Sequence, residues 1–150
     1  GQSFSQTNAG NPLDGNPALS VTINPADQND VWVTTAPVVN NTPGIFRTLN
    51  GGNTWTNVTA NLPNRYYKDV AISPTNATHV LVALSGFGTS HLYQYQTSSA
   101  TWVAVGSGLP DVPTNSITFD PLNGQIVYVG NDLGAFVSID GGLNFKPFND

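Results

Sequence analysis

Glycoside hydrolysis by the usual two-carboxylate route needs a pair of acids facing one cleft. This chain can supply them only from aspartate, because none of its nine acidic residues is Glu. Asp69, Asp111, Asp120 and Asp132 stand apart from the early loops and from the glycine-rich turns discussed below. Asp120 sits in an "FDP" stretch aligned with Asn24 and Ser73, which marks it as a turn capper. Asp69 precedes an apolar run; it could face the axis of the fold or be a solvated loop residue. His79 and His91 have no second pair of metal-type ligands nearby, and His79 aligns with Asp30 and Gln125 at an exposed strand start. "NDLGAFVS", Asn131 to Ser138, could lend oxygens to calcium but lacks the carboxylate density of a dedicated loop. No nucleophile-elbow pattern supports Ser-His-Asp chemistry. The expectation is no catalytic residue, no metal and no cofactor.

Binding chemistry has a better candidate. Tyr66, Tyr67, Phe87, Tyr93 and Tyr95 cluster in the middle third of the chain. Aromatic rings beside Asn and Gln can hold sugars by stacking and neutral hydrogen bonds. Tyr66, Tyr67, Asp69, Tyr93 and Tyr95 are therefore candidate ligand-binding residues, with a glycan as the candidate ligand. Alternate residues of "HLYQYQ" could instead pack between sheets, and the alternation favours packing. Sequons begin at Asn40, Asn57 and Asn76, but in a chain so rich in Asn and Thr they say little about glycosylation.

The elements that position these residues must be built from an unusual composition. Charged residues are 9% of the 150, against 39% hydrophobic, where about a quarter is ordinary. A surface carried by Asn, Thr, Ser and Gln suits a secreted or cell-surface protein. With a net charge of −5 and four basic residues, no basic stripe can be assembled for nucleic acid or an anionic membrane surface. Cysteine is absent, which excludes a disulfide framework. No run reaches the ~20 apolar residues of a membrane span. The sequence opens at Gly1 and contains no Met, so a processed product or an excised piece is expected.

A repeat organises the chain. "VTINPADQNDVWV" from Val21, "VAISPTNATHVLV" from Val70 and "ITFDPLNGQIVYV" from Ile117 align, with prolines at 25, 74 and 121. Trp55, Trp102 and Phe145 recur with nearly the same period, as do "NLP" and "GLP". Each unit reads as four short strands rich in Val, Ile, Trp, Phe and Thr, separated by Pro, Gly, Asn and Asp. In the first unit these are Ala18–Ile23, Asp30–Thr35, Gly44–Leu49 and Thr54–Thr59. No sustained helical period is present. Four strands per ~40–50 residues is β-propeller spacing. The predicted fold is all-β: three four-stranded antiparallel blades over 16–63, 64–110 and 111–150, preceded by an arm over 1–15. They would form an open arc or part of a larger propeller.

Two stretches carry a family resemblance. "TLNGGNTW" (Thr48 to Trp55) and "SIDGGLNF" (Ser138 to Phe145) place a hydroxyl, Asn or Asp, two glycines and an aromatic at the same offsets. They resemble the Asp-box, or BNR, repeat of sialidase-like and sortilin-like propellers, secreted xyloglucanases and photosystem II assembly factor-like proteins. Ser138, Asp140, Gly142 and Phe145 match that pattern, with Asn144 where Thr is usual, as do Thr48, Gly52, Thr54 and Trp55, with Asn50 where Asp is usual. The resemblance implies a hairpin between the third and fourth strands of a blade. Its physics is that of a staple: the Asp or Asn oxygen accepts N–H bonds within its own turn, and glycines supply positive φ. The middle unit keeps Trp102 in "YQTSSATW" but loses the Asp and glycines.

Sialidase chemistry is not supported, since two arginines and no Glu cannot supply an arginine cluster and a Tyr/Glu pair. The expected function is a non-catalytic binding or scaffolding module. Its rivals are a fragment of a larger glycoside hydrolase and a structural subunit of a ring or filament. An open arc would leave two outward faces, each expected to be apolar, for further blades of the same parent chain or for self-association. The arm "GQSFSQTNAGNPLDG" could add a strand to a neighbour.

Overall fold

A computed structural model describes residues 13–148. Twelve strands form three four-stranded antiparallel sheets, each in simple chain order. The first holds β1 (Ala18–Asn24), β2 (Asp27–Thr35), β3 (Ile45–Thr48) and β4 (Thr56–Asn57). The second holds β5 (Tyr67–Ile72), β6 (Val80–Leu84), β7 (Leu92–Gln96) and β8 (Thr101–Val105). The third holds β9 (Thr114–Phe119), β10 (Val127–Asn131), β11 (Gly134–Ser138) and β12 (Lys146–Pro147). There is no helix among the described residues. The arm falls almost wholly on 1–12, outside the described residues.

Two departures from the expected strands have local causes. β2 starts at Asp27 rather than Asp30, because Asn24 pairs with Asp27 across a tight turn. β4 shrinks to Thr56–Asn57 because the Thr54 amide is held by Asn50 at 2.9 Å and cannot join the ladder.

The sheets stack, and the period-2 alternation of each strand splits its side chains between neighbours. β6 lies at the centre and is buried throughout. Its Val80, Val82 and Leu84 join a core with Trp32 and Ile45 of the first sheet. Its Leu81 and Ala83 join a second core with Ile117, Phe119, Val127, Val129 and Phe136 of the third. Burying each such side chain contributes about 1.5–3 kcal/mol, so these two cores hold the stack together.

Each sheet thus has a leading face, turned toward the sheet before it, and a trailing face, turned toward the sheet after it. Leading faces are β-branched and aromatic: Val70, Ile72, Val80 and Val82 in the second sheet, Ile117, Phe119, Val127 and Val129 in the third. Val21, Ile23, Val31 and Val33 are the same register positions in the first sheet, where Val21 is 66% and Ile23 55% exposed. The trailing face of the third sheet differs from expectation. Thr118 and Tyr128 pair there, beside Ser116 and Gly130, and Thr118 and Ser116 are exposed. Only one of the two outward faces is therefore broadly apolar. Of the apolar residues of "IVYVGN", Val127 and Val129 are spent on the side already covered.

Candidate functional site

The two repeated turns use one bonding scheme. In the first, Thr48 Oγ1 accepts from the amides of Asn50 (3.2 Å) and Gly52 (3.0 Å) and donates to Asn50 Oδ1 at 2.9 Å. Asn50 Oδ1 also accepts from Thr54 N at 2.9 Å, while its Nδ2 donates to Thr54 Oγ1 at 2.9 Å. In the second, Ser138 Oγ accepts from Asp140 N (3.3 Å) and Gly142 N (2.9 Å) and donates to Asp140 Oδ1 at 2.7 Å. Asp140 Oδ1 accepts from the amides of Leu143 and Asn144, and Oδ2 from Asn144 Nδ2 at 2.8 Å. The bonds from Asn144 and Ser138 hold the Asp140 carboxyl down at about 2. Both glycine pairs have positive φ, Gly51 and Gly52 at 65° and 94°, Gly141 and Gly142 at 75° and 93°. An acceptor spent this fully on its own turn has no role as acid or base.

The aromatic candidates do not assemble into a platform. Tyr67 is 1% exposed and its hydroxyl donates to Pro63 O at 3.1 Å; burial pushes its pKa up to about 12. Tyr95 is buried edge-on against Trp32, with centroids 5.2 Å apart, and tilted on Trp102 at 5.0 Å. Both belong to the first inter-sheet core, because they lie on the same face as Val82 and Trp102. Tyr93 is half-buried, with its hydroxyl 3.2 Å from Thr89 Oγ1. Tyr66 (43%) and Phe87 (62%) are the exposed members of that cluster. Ser85 N donates to Tyr66 O at 3.0 Å, which brings their two loops to one end of the middle sheet.

Asp69 is neither a loop residue nor a free acid. It lies in β5, where Oδ1 accepts from Ser20 Oγ at 2.6 Å and Oδ2 from Ile117 N at 3.1 Å. One carboxylate thus stitches β1, β5 and β9, the innermost strand of each sheet. His79 is not exposed as aligned: its ring packs edge-on to Phe119 at 5.1 Å, and burial lowers its pKa. Asp120 caps its turn through Leu122 N and Asn123 N.

Sequence reasoning missed the pairing of His91 with Asp111, whose Nε2 and Oδ1 are 2.8 Å apart. The Gly88 amide donates to the same oxygen at 2.8 Å. That amide and then His91 hold the Asp111 carboxyl below its ordinary value. The two residues lie far apart in sequence with no shared motif, so only the fold brings them together. They border an open polar hollow of about 460 Å³ with Thr89, Ser90 and Ser107. A second hollow of about 400 Å³ at the same end is lined by Asn40, Thr42, Asn57, Thr59 and Asn64. No group of three or more metal-type ligands occurs among the described residues. No helix among them is long and apolar enough to cross a membrane.

No protein-family model matches the chain, and no curated protein matches it in sequence. Solved structures do. The GH74 enzyme of Niastella koreensis aligns with TM-score 0.70 and 18% identity over 96% of this chain and 24% of that one. The GH74 xyloglucanase of Xanthomonas campestris gives TM-score 0.70 and 18% identity over 88% and 23%. YCF48 from Cyanidioschyzon merolae gives 0.64 and 16% over 90% and 38%. The chain spans about a quarter of these GH74 chains and less than two fifths of YCF48. At such identities the likeness speaks for architecture alone. Three stacked four-stranded meanders with these neighbours are blades of a β-propeller.

Proposed function

We propose that this chain is a three-blade section of an Asp-box propeller that works outside the cell as a non-catalytic binding or scaffolding module, with a glycan as its ligand. The observation that carries the reading is how the polar groups are spent. Asp140 and Asn50 are consumed by their own turns, and Asp69 by the neighbouring strands. What remains open is the loop end of the middle blade, where Tyr66 and Phe87 are exposed and two hollows carry Thr89, Ser90 and Ser107 in one and Asn40, Thr42 and Asn64 in the other. Rings and neutral hydrogen-bonding groups suit an uncharged sugar chain. A glycan array with the purified chain tests this. Retention on a neutral polysaccharide, lost in Tyr66→Ala and Phe87→Ala, is the expected result; retention by none would overturn the glycan assignment.

A second reading, a section of a larger carbohydrate-active enzyme, is favoured by the small share of the GH74 chains that this one spans. Under it the catalytic acids lie on blades outside this sequence. A parent reading frame with no further blades would sink it.

A further inference from the structure

Among the described residues, the first sheet's leading face lacks what the other two interfaces supply. Where the first and second sheets meet, Trp102 Nε1 donates to Val58 O at 2.8 Å. Where the second and third meet, Ser107 brackets Phe145, donating to Leu143 O and accepting from Phe145 N, each at 2.8 Å. In both, the segment after one blade's outer strand satisfies the aromatic-bearing strand of the next. Trp55 holds the equivalent place in the first blade, and its indole nitrogen is buried without a partner among the described residues. Trp55, Gly51 and Gly52 line an apolar hollow of about 410 Å³ with Val21, Val31 and Val33, and Leu13 sits at it too. The covered turn shows what fills such a place: a side chain on Gly142 would meet Leu81 Cδ1 of the preceding blade at 2.9 Å.

The third sheet's trailing face carries the complementary parts. Tyr128 occupies the register position of Leu81 and of Trp32, and its ring packs edge-on to Phe148, with centroids 5.1 Å apart. Phe148 N donates to Ala135 O at 2.9 Å just as Val58 N donates to Ile45 O at 2.8 Å. The Phe148 carbonyl therefore stands where Val58 presents its own to Trp102. Ser116, the counterpart of Ser20 and Asp69, lies on the same exposed side.

We propose that a second copy of this chain covers the open face, head to tail, the trailing face of its third sheet docking on the leading face of the first sheet. Tyr128 of one copy enters the hollow over Gly51, Gly52 and Trp55 of the other, and the Phe148 carbonyl accepts from the Trp55 indole. The contact is heterologous: it leaves one leading and one trailing face free at the ends, so it propagates or closes into a ring. It continues the two blade interfaces inside the chain, position by position. It rests on the blade architecture alone, so a failed glycan assay leaves it standing.

Sedimentation velocity of the full chain from micromolar to near-millimolar concentration gives the test, with Val21→Asp and Thr118→Arg as variants at exposed positions. The wild type should form species above the 15.8 kDa monomer. Each variant alone should remain monomeric with an unchanged melting profile. An equimolar mixture of the two should give a heterodimer and nothing larger, since each supplies the face the other has lost. Trp55→Phe, which keeps a ring but removes the N–H, should weaken association about fivefold. A wild type that stays monomeric throughout overturns the proposal. A mixture that yields no heterodimer does the same, because it would show a like-with-like contact.

Discussion

The turns at Thr48–Trp55 and Ser138–Phe145 have the same internal bonds but opposite surroundings. The second is pressed against the preceding blade: Gly141 lies over His79, Gly142 over Leu81, and Phe145 is buried in the inter-sheet core. The first lies on the open face, with Trp55 half-buried over the hollow. The turn's shape therefore does not depend on its cover. Hydroxyl, Asn or Asp and two glycines build it locally, and packing is added when a neighbour arrives. A local staple of this kind can recur along a chain without regard to what each copy touches.

The largest test of that contrast is to remove the aromatic. Phe145→Ala should cost about 3–5 kcal/mol, as large-to-small changes in a core do. Trp55→Ala should cost less than half as much by chemical denaturation of the monomer. Equal losses would mean that Trp55 is covered as well as Phe145.

The glycines come next. Alanine at Gly141 or Gly51 meets the same backbone penalty of about 1–2 kcal/mol for a left-handed residue. At Gly141 the new Cβ also falls 2.9 Å from His79 Cε1, while at Gly51 the nearest atom is Asn29 Oδ1 at 3.4 Å. Gly141→Ala should therefore melt lower than Gly51→Ala; the reverse order would contradict the cover seen at the second turn.

Exchanging the acceptor should have a smaller effect. Asp140→Ala and Asn50→Ala should each lower the melting midpoint by a few degrees, and Asp140→Asn by less, because an amide oxygen already serves the first turn. If Asp140→Asn melts as low as Asp140→Ala, charge rather than acceptance holds the turn.

Acid gives the finest comparison. The Asp140 carboxyl titrates at about 2 in the folded chain against an ordinary 3.8. A depressed carboxylate contributes stability that is complete above the unfolded value and is lost as pH falls through the folded one. The second turn should weaken between about pH 4 and pH 2, whereas the first, built on Asn50, should not change. Amide exchange at Asn144 and Thr54 would separate them. A matching rise at Thr54 would mean that something other than Asp140 titrates.

Much of this was legible because the relevant chemistry is local. The repeated prolines, the alternating apolar runs and the hydroxyl–Asx–Gly–Gly spacing each specify structure within a few residues, and the strands lie where those runs lie. Tyr67 and Tyr95 were harder, since alternation says that a side chain has a face but not whether a sheet covers it. His91 and Asp111 meet only through the fold. Asp69 was the least legible: nothing adjacent to it shows that Ser20 and Ile117, each some fifty residues away, arrive at its two oxygens. The outer face of the third sheet departs from expectation because Val127 and Val129 of "IVYVGN" turn to the covered side, while Ser116 and Thr118 of the paired strand face out.

That stitch bears on how such a chain can grow. Along the innermost strands the equivalent positions read Ser20, Asp69, Ser116, a hydroxyl on each side of one acid. A gene duplication that copied the middle unit in place would set a second carboxylate against Asp69, in the position where Ser20 now donates at 2.6 Å, and two like charges that close cannot both stay ionised cheaply. Tandem copying of the outer units meets no such obstacle. The inner strands thus restrict which blade can serve as the template for its neighbours.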